Sequence, residues 1–232
     1  MKNKLALLSG ILCIGLVIAF IFYTGKDNQK KEGYTTTGFA MGTAVTVSVY
    51  SDQGRQDADA VIDCVSRLER EQISWRIEGS EVYRVNHEYK AGEPYEISYG
   101  LAYAVLQERE VSEAGDDLLV LTIRPLASCW GIEDGKKQVP ETQKIEEACS
   151  AVDDSKVHIV DEQGKELTQV SDLSENGTWY VLFDEAGLSL DFGAMGKGIA
   201  CDRVAENLEE NQVEGACVAV GGSVLCYGAK PD

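Results

Sequence analysis

The chain of 232 residues is 44% hydrophobic and 26% charged, a balance typical of a globular protein with a substantial core. It carries 39 acidic and 21 basic residues, for a net charge of -18. Because nucleic-acid binding relies on basic residues that displace counterions from phosphates, this charge argues against a nucleic-acid partner. It also disfavours docking of the folded part on anionic lipid.

The N-terminal residues 1–24 are predicted to form a membrane segment. Lys2 and Lys4 precede an uncharged run at 5–23, which is long enough to cross a bilayer as a helix. The run fits an uncleaved anchor or a signal peptide, and the lack of an Ala-x-Ala-like site favours the anchor. A polar linker at 25–33 follows, so the domain at 34–232 is expected at the cell membrane, on its extracytoplasmic side.

The first half of the folded domain is predicted to contain one strand and three helices. Residues 43–50 alternate in polarity and are rich in β-formers, which indicates a strand. Apolar residues recur at helical spacing over 57–71 and 98–114, and a shorter helix is predicted at 142–151 after Pro140.

The second half is predicted to be richer in strands. A turn is predicted at Gln163-Gly164, a hairpin around residues 184–186, and a helix at 198–210. The predicted strands cover residues 157–160, 166–170, 178–183, 187–192, 216–220 and 223–227. Because strands and helices do not alternate regularly, the sequence predicts an α+β fold with mixed sheets rather than a doubly wound one.

The cysteines and histidines show no pattern of a metal site. The cysteines outside the membrane segment form no C-x-x-C motif and have mostly apolar neighbours, so we expect buried free thiols that pack as small hydrophobic groups. His87 and His158 stand apart in polar surroundings. We expect both to be exposed and to serve neither as metal ligands nor in catalysis.

Residues 191–202 hold the most distinctive local pattern of the chain. Gly193, Gly196 and Gly198 follow the end of a predicted strand and lead into a helix, with Lys197 between the last two. Such a turn exposes backbone N–H groups that favour an anion, and the lysine adds a positive charge. The pattern matches neither the Rossmann nor the P-loop motif, so it fits either a diphosphate site or an ordinary turn with a surface lysine.

Several segments, taken together, resemble the ApbE-like FAD:protein FMN transferases. The resemblance begins at Phe39-Ala40-Met41-Gly42-Thr43 and continues through Ile73-Ser74-Trp75, Thr122-Ile123-Arg124-Pro125-Leu126, residues 191–202 and Val220-Gly221-Gly222. One short motif is weak, but five in the same order along one chain are specific. The resemblance implies the ApbE-like α+β fold.

The resemblance also implies a reaction and its participants. Family members use FAD and Mg2+ and transfer FMN to a threonine hydroxyl of a partner flavoprotein, with release of AMP. For this chain it implies FAD as substrate, Mg2+ as cofactor, and as acceptor an electron-transfer protein in the membrane or outside the cytoplasm. Phosphoryl transfer of this kind needs a held diphosphate, a cation on its oxygens and an activated hydroxyl.

Site residues follow from the resemblance position by position. Met41 matches a position that touches the flavin, and Trp75 one that packs on the flavin or adenine. Asp191 matches an acid that contacts the ribityl or ribose group, and Lys197 matches a position close to the diphosphate. Ala194 matches the position whose carbonyl oxygen binds Mg2+. No catalytic residue can be assigned.

Other residues in these segments have structural interpretations. Ser80, Glu81 and Asn86 are expected to organise the loop after Trp75, and Arg124 either meets a phosphate or pairs with an acidic side chain.

Family members continue beyond the position matched by Asp232, with the acidic metal ligands and the hydroxyl-activating aspartate. We therefore expect a truncated member with little or no transferase activity. The alternatives are a membrane-anchored flavin-binding module without catalysis and an exported structural domain.

Overall fold

The computed structural model describes residues 33–116, 118–132, 135 and 139–230. The predicted membrane segment at 1–24 and all of the polar linker except Gly33 lie outside these residues. Within the described residues, no helix is long and apolar enough to cross a membrane.

The first sheet, sheet A, contains the first and the last strands of the described residues. Its order is β1-β2-β7-β8, and each neighbouring pair is antiparallel. Its strands are β1 (Tyr34–Ala40), β2 (Thr43–Tyr50), β7 (Gly215–Val220) and β8 (Ser223–Gly228). Val45, Val47 and Val49 of β2 point inward and are fully buried, as the alternating sequence predicts.

Two helices cover the inner face of sheet A. Helix α1 (Gly54–Arg67) runs into a wider π-helical turn at Leu68–Ile73, and α6 (Gly196–Glu210) packs against α1. Both present an apolar stripe, with Val61 and Val65 on α1 and Val204 on α6 fully buried. Helix α6 begins two residues before the predicted start, at Gly196 of the glycine-rich turn. This turn is therefore attached directly to a helix that packs in the core.

Sheet B lies in the middle of the sequence and has the order β3-β6-β4-β5. Its strands are β3 (Tyr95–Ile97), β4 (Val157–Asp161), β5 (Glu166–Leu167) and β6 (Trp179–Phe183). The remaining α-helices are α2 (Glu81–Glu88), α3 (Tyr99–Ala114), α4 (Arg124–Cys129) and α5 (Thr142–Cys149). Helix α3 packs on sheet B, and a single buried apolar cluster joins both sheets. The α+β class is confirmed.

The structure corrects the prediction of mixed sheets. Among the described residues, every strand pair in both sheets is antiparallel. The irregular order of elements was interpreted as mixed pairing, but the long connection from β2 to β7 returns to sheet A with the direction reversed. The sequence analysis also missed β1, α2, β3 and α4, which are short or lack a clear period.

The predicted hairpin of residues 178–183 and 187–192 is also wrong. The first segment is β6, but the second forms no strand. Both backbone groups of Leu190 bind the side-chain amide of Asn86, at 2.8 and 2.9 Å, and the Asp191 N–H donates to the Leu121 carbonyl at 2.8 Å. The segment therefore satisfies its backbone without pairing in a sheet.

The expectation of buried thiols is wrong for the exposed cysteines, which are Cys149, Cys217 and Cys226. Cys217 was predicted to be buried because its neighbours Ala216 and Val218 are apolar. These neighbours face the core, whereas Cys217 itself points to the opposite face of β7. The other described cysteines, Cys64, Cys129 and Cys201, are partly exposed.

His158 is also less isolated than expected. Its Nδ1 lies 2.8 Å from a Glu166 carboxylate oxygen and its Nε2 lies 3.2 Å from an Asp184 carboxylate oxygen, so the ring bridges β5 and the residue after β6. Burial lowers the pKa of His158, but the hydrogen bonds to the two carboxylates outweigh burial and raise it above 6.5.

We expect His158→Gln to destabilise the protein more at pH 5.5 than at pH 9. A histidine whose folded pKa is raised stabilises the fold fully below its unfolded pKa, and this contribution disappears as the pH rises through the folded pKa. The loss at pH 5.5 should be about 1 kcal/mol, measured by urea unfolding. His87→Gln, at an exposed position, is the control, and an equal loss at both pH values would contradict the prediction.

Candidate functional site

The predicted flavin-contacting residues meet in one cleft, although they come from three separate parts of the chain. The cleft has a volume of about 150 Å3 and lies at the end of sheet A where α6 begins. Its lining includes Met41, Trp75, Asp191 and Lys197, together with Glu69 and Arg76. The structure thus brings together all of the predicted small-molecule contacts.

Met41 lies in a turn that most residues avoid. Met41 and Gly42 connect β1 to β2 as a two-residue hairpin loop, and both have positive φ, at 52° and 68°. Such a loop favours Asn-Gly, and a methionine in this conformation costs about 1 kcal/mol. The Met41 N–H donates to the Glu69 carboxylate at 2.6 Å, which helps to hold the turn. A strained turn that places a side chain in a cleft is typical of a functional position.

The glycine-rich turn shapes the opposite wall of the cleft. Asp191 accepts a hydrogen bond from the Gly193 N–H at 2.7 Å, and the Phe192 carbonyl accepts from Met195 and Gly196. Helix α6 then begins at Gly196, and its first turn leaves N–H groups without intrahelical partners. The positive end of the helix and the Lys197 residue therefore both border the same cleft.

Gly196 lies where a Cβ atom would press against the ends of two flexible side chains. A Cβ atom at this position would lie 3.0 Å from the Met41 terminal methyl group and 3.2 Å from the Ile73 Cδ1 atom. The helix start can therefore approach the methionine closely. A second glycine turn, Gly221-Gly222, adjoins the Met41 turn, because the Gly221 N–H donates to the Ala44 carbonyl at 3.0 Å. This pair forms the tight turn between β7 and β8, at the same end of sheet A.

Trp75 separates this cleft from a larger neighbour. The guanidinium carbon of Arg124 lies 3.1 Å from the centre of the Trp75 ring, and that of Arg76 lies 5.1 Å from it. The second cleft has a volume of about 680 Å3, and its lining includes Trp75, Arg76, Arg124 and His87. Arg124 thus stacks on the predicted flavin-packing tryptophan, a contact that the sequence analysis did not foresee. Two adjoining clefts with three cationic side chains suit an elongated anionic ligand.

Ser80, Glu81 and Asn86 have structural roles, but Glu81 and Asn86 bind segments other than the loop after Trp75 that they were expected to organise. Ser80 donates to the Gln72 carbonyl at 2.9 Å, and the buried Glu81 carboxylate accepts from the Ser98 N–H and hydroxyl. Asn86 binds both backbone groups of Leu190, the residue before Asp191. Asn86 therefore fixes the backbone that carries the Asp191 carboxylate into the cleft.

We expect Asn86→Ala to lower the free energy of unfolding by about 2 kcal/mol, because it leaves two backbone groups of the buried Leu190 without partners. Urea unfolding measures the loss. The exposed neighbour His87, changed to Ala, should cost less than about 0.5 kcal/mol. Equal stability of the two variants would show that the amide does not hold this segment.

Glu69 and Arg76 line the cleft but were missed by the sequence analysis. Glu69 sits in the π-helical turn that follows α1, and no local sequence pattern singled it out. Arg76 follows Trp75 directly, and only its proximity to a predicted site residue could have indicated it.

The predicted magnesium ligand, Ala194, lies in the exposed part of the glycine-rich turn. No group of three or more His, Cys, Asp or Glu side chains that could hold a metal ion exists among the described residues. Mg2+ requires near-octahedral oxygen coordination, which one carbonyl oxygen cannot provide. The described residues by themselves therefore do not make up a resident Mg2+ site, and no step of the chemistry is assigned to the metal.

Comparison with protein families gives one match, to a sequence model described as the ApbE family, over residues 41–232. Curated relatives include two FAD:protein FMN transferases. The one from Klebsiella pneumoniae (strain 342) is 28% identical over 84% of this chain and 56% of its own length. The one from Treponema pallidum (strain Nichols) is 22% identical over 94% of this chain and 58% of its own length. The chain thus spans less than two thirds of these relatives.

Solved structures show the same fold. The crystal structure of an ApbE protein from Thermotoga maritima MSB8 superposes with a TM-score of 0.70 at 24% identity, covering 86% of this chain and 60% of that one. The apo form of the flavinyl transferase ApbE from Pseudomonas stutzeri gives a TM-score of 0.69 at 21% identity, covering 88% and 64%.

Proposed function

Since the chain belongs to the ApbE family, we propose that it binds FAD in the smaller cleft, which Met41 and Lys197 line, and takes part in the transfer of FMN from FAD to a partner protein. The observation that carries this proposal is the meeting of Met41, Trp75, Asp191 and Lys197 in one cleft. These residues are far apart in the sequence, so a chance turn at residues 191–197 does not account for their arrangement.

The chemistry of the cleft fits a flavin dinucleotide. The Lys197 ammonium group and the N-terminus of α6 oppose the charge of the diphosphate. Met41 and Trp75 offer apolar and aromatic surface for a flat ring, and the Asp191 carboxylate accepts a hydrogen bond from a ribityl or ribose hydroxyl. For a ring to stack on the face that Arg124 covers, the arginine must move toward the larger cleft.

In the proposed reaction, a threonine hydroxyl oxygen of the acceptor attacks the phosphorus atom of the FMN half. The bond from this phosphorus atom to the bridging oxygen breaks, AMP leaves with that oxygen, and the proton of the threonine hydroxyl passes to solvent. The part of this chain is to hold the diphosphate and orient the flavin. The threonine acceptor, the release of AMP and the requirement for Mg2+ belong to the proposal, and the assay below tests each of them.

The test uses the purified full chain with FAD, Mg2+ and an acceptor flavoprotein whose target threonine is known. Flavin fluorescence that stays with the acceptor after denaturing electrophoresis, and disappears with a Thr→Val acceptor, supports transfer. A parallel reaction with EDTA tests the metal requirement, and chromatography detects AMP. Saturable FAD binding without transfer would favour the flavin-binding module instead. If FAD neither binds nor raises the melting temperature, both functions are refuted.

We also propose that residues 1–24 hold this domain at the extracytoplasmic side of the membrane. The support is the uncharged run at 5–23 and the polar linker after it. Protease added to intact cells, or to spheroplasts where an outer layer blocks access, should cut the domain. Protection until the membrane is lysed would refute the orientation.

A further inference from the structure

A pair of exposed cysteines faces each other across the β7–β8 hairpin. Cys217 and Cys226 are direct partners in the register of these two strands, and both side chains are exposed free thiols on the outer face of sheet A. No part of the proposed flavin chemistry uses them.

The hydrogen-bond pattern places the two thiols in the closer type of cross-strand pair. Hydrogen-bonded and non-hydrogen-bonded pairs alternate along an antiparallel hairpin. The Ala229 N–H donates to the Glu214 carbonyl at 3.2 Å, so Glu214 and Ala229 form a hydrogen-bonded pair. Cys217 and Cys226 lie three positions further along the hairpin and therefore form a non-hydrogen-bonded pair.

This type of pair suits a disulfide. In a non-hydrogen-bonded pair the two Cα atoms are about 4.5 Å apart and the side chains approach each other on one face. A disulfide accepts Cα separations of about 4.4 to 6.8 Å. The other described cysteines lie on helices or loops and lack such a register partner.

We propose that Cys217 and Cys226 are a dithiol–disulfide couple, a redox modification site whose co-reactant is an external disulfide. One thiolate attacks the external disulfide, forms a mixed disulfide and releases one thiol. The second cysteine then attacks the protein sulfur of the mixed disulfide and releases the other thiol. Two electrons pass from the cysteine sulfurs to the external disulfide, and the two cysteine protons end on the two released thiols.

The environment of the pair sets its reactivity. Partial burial, a hydrogen bond with Cys226 and the repulsion between two thiolates raise the pKa of Cys217. Reaction should therefore accelerate as the pH rises above 8, where more thiolate forms. Exposed disulfides are also the easily reduced ones, so the couple can cycle.

Oxidation would fix the hairpin that ends next to the candidate site. Among the described residues, β8 pairs only with β7, so it is an edge strand. The Gly221-Gly222 turn lies roughly 13 Å along the strand from Cys217 and contacts the start of β2. A disulfide closing this short loop should raise the melting temperature by roughly 5 °C, and dithiothreitol should reverse the rise.

The experiment treats the purified full chain with glutathione disulfide at pH 8.5, blocks the remaining thiols with iodoacetamide and maps tryptic peptides. Trypsin yields one peptide, residues 204–232, that contains only these two cysteines, because Lys230 precedes a proline. We expect this peptide to be two hydrogens lighter and free of alkyl groups. A change of Cys149 to Ser, which removes an exposed unpaired thiol, should leave this result unchanged.

Cys217→Ser and Cys226→Ser provide the decisive comparison. Each variant should retain a glutathione adduct on the remaining cysteine, with a lifetime roughly tenfold or more longer than in the unmodified chain, because no neighbouring thiol resolves it. The proposal is overturned if the unmodified chain carries separate glutathione adducts on both cysteines, or disulfides between two copies, in place of the light peptide.

Discussion

Changing Lys197 to methionine should weaken FAD binding by roughly 10- to 100-fold. Lys197 lines the cleft at the start of α6, where the proposed diphosphate would sit. Loss of one charge-assisted hydrogen bond costs about 1.5 to 3 kcal/mol, and each 1.4 kcal/mol corresponds to a factor of ten. Methionine keeps most of the length and apolar stem of lysine, so the change removes charge more than packing. Quenching of flavin fluorescence during titration measures the dissociation constant.

The matched control is Lys144→Met, on the exposed surface of α5. It makes the same change in net charge, so it corrects for the added general repulsion between an acidic protein and an anionic ligand. We expect its FAD affinity to change by less than about twofold. If both variants lose affinity equally, Lys197 does not contact the diphosphate. If Lys197→Met binds FAD as the unmodified chain does, the assignment of the cleft is wrong.

Sequence reasoning found the cleft residues because each belonged to a short local pattern. Lys197 lies within a glycine-rich turn, and Met41 precedes Gly42 at the start of a clear strand. The chemistry of such turns follows from glycine conformation and helix termini, which act over a few residues. What the sequence could not show is that these segments meet, because their contact depends on how β2 pairs with β7 across the whole intervening chain.

The wrong predictions have the same cause, because they also depend on contacts that a local pattern does not show. Residues 187–192 have the composition of a strand, but Asn86, distant in sequence, supplies the hydrogen bonds that a strand partner would give. The stacking of Arg124 on Trp75 likewise joins two loops that no local pattern connects. Cys217 was predicted to be buried from its neighbours, although the period of two along a strand sends adjacent side chains to opposite faces. Patterns over a few residues therefore identified the segments, whereas contacts between residues distant in sequence determined what each segment forms and which residues it contacts.

A buried carboxyl group on α3 should make the stability of the protein depend strongly on pH. Glu108 is only 4% exposed, and its Oε1 atom has no hydrogen-bond partner among the described residues. Burial and the nearby Asp154 carboxylate raise the pKa of Glu108 to about 8, and Arg109 opposes them only partly. Asp154 is itself engaged, because it accepts hydrogen bonds from the backbone of Leu121 and Thr122. The fold therefore favours a neutral Glu108.

The direction of the pH effect on stability follows from the difference between the pKa of Glu108 in the folded chain and its pKa in the unfolded chain. Below about pH 4.5, Glu108 is protonated in both the folded and the unfolded chain, so its ionisation does not lower the free energy of unfolding. As the pH rises toward 8, the unfolded chain releases the proton while the folded chain retains it, so stability falls across this window. Above 8 the folded chain also ionises, and the cost stays constant. The difference between the two pKa values sets an upper bound of roughly 5 kcal/mol.

Glu108→Gln should therefore stabilise the protein by about 3 kcal/mol at pH 8.5 and by less than about 0.5 kcal/mol at pH 4.5, as measured by urea unfolding. Glutamine keeps the shape of the neutral acid and cannot ionise. The control, Glu113→Gln, lies exposed on the same helix and should change stability by less than about 0.5 kcal/mol at both pH values. A gain independent of pH would point to packing rather than ionisation. A loss at pH 8.5 would contradict the prediction, because it would mean that the fold stabilises the ionised Glu108 carboxylate.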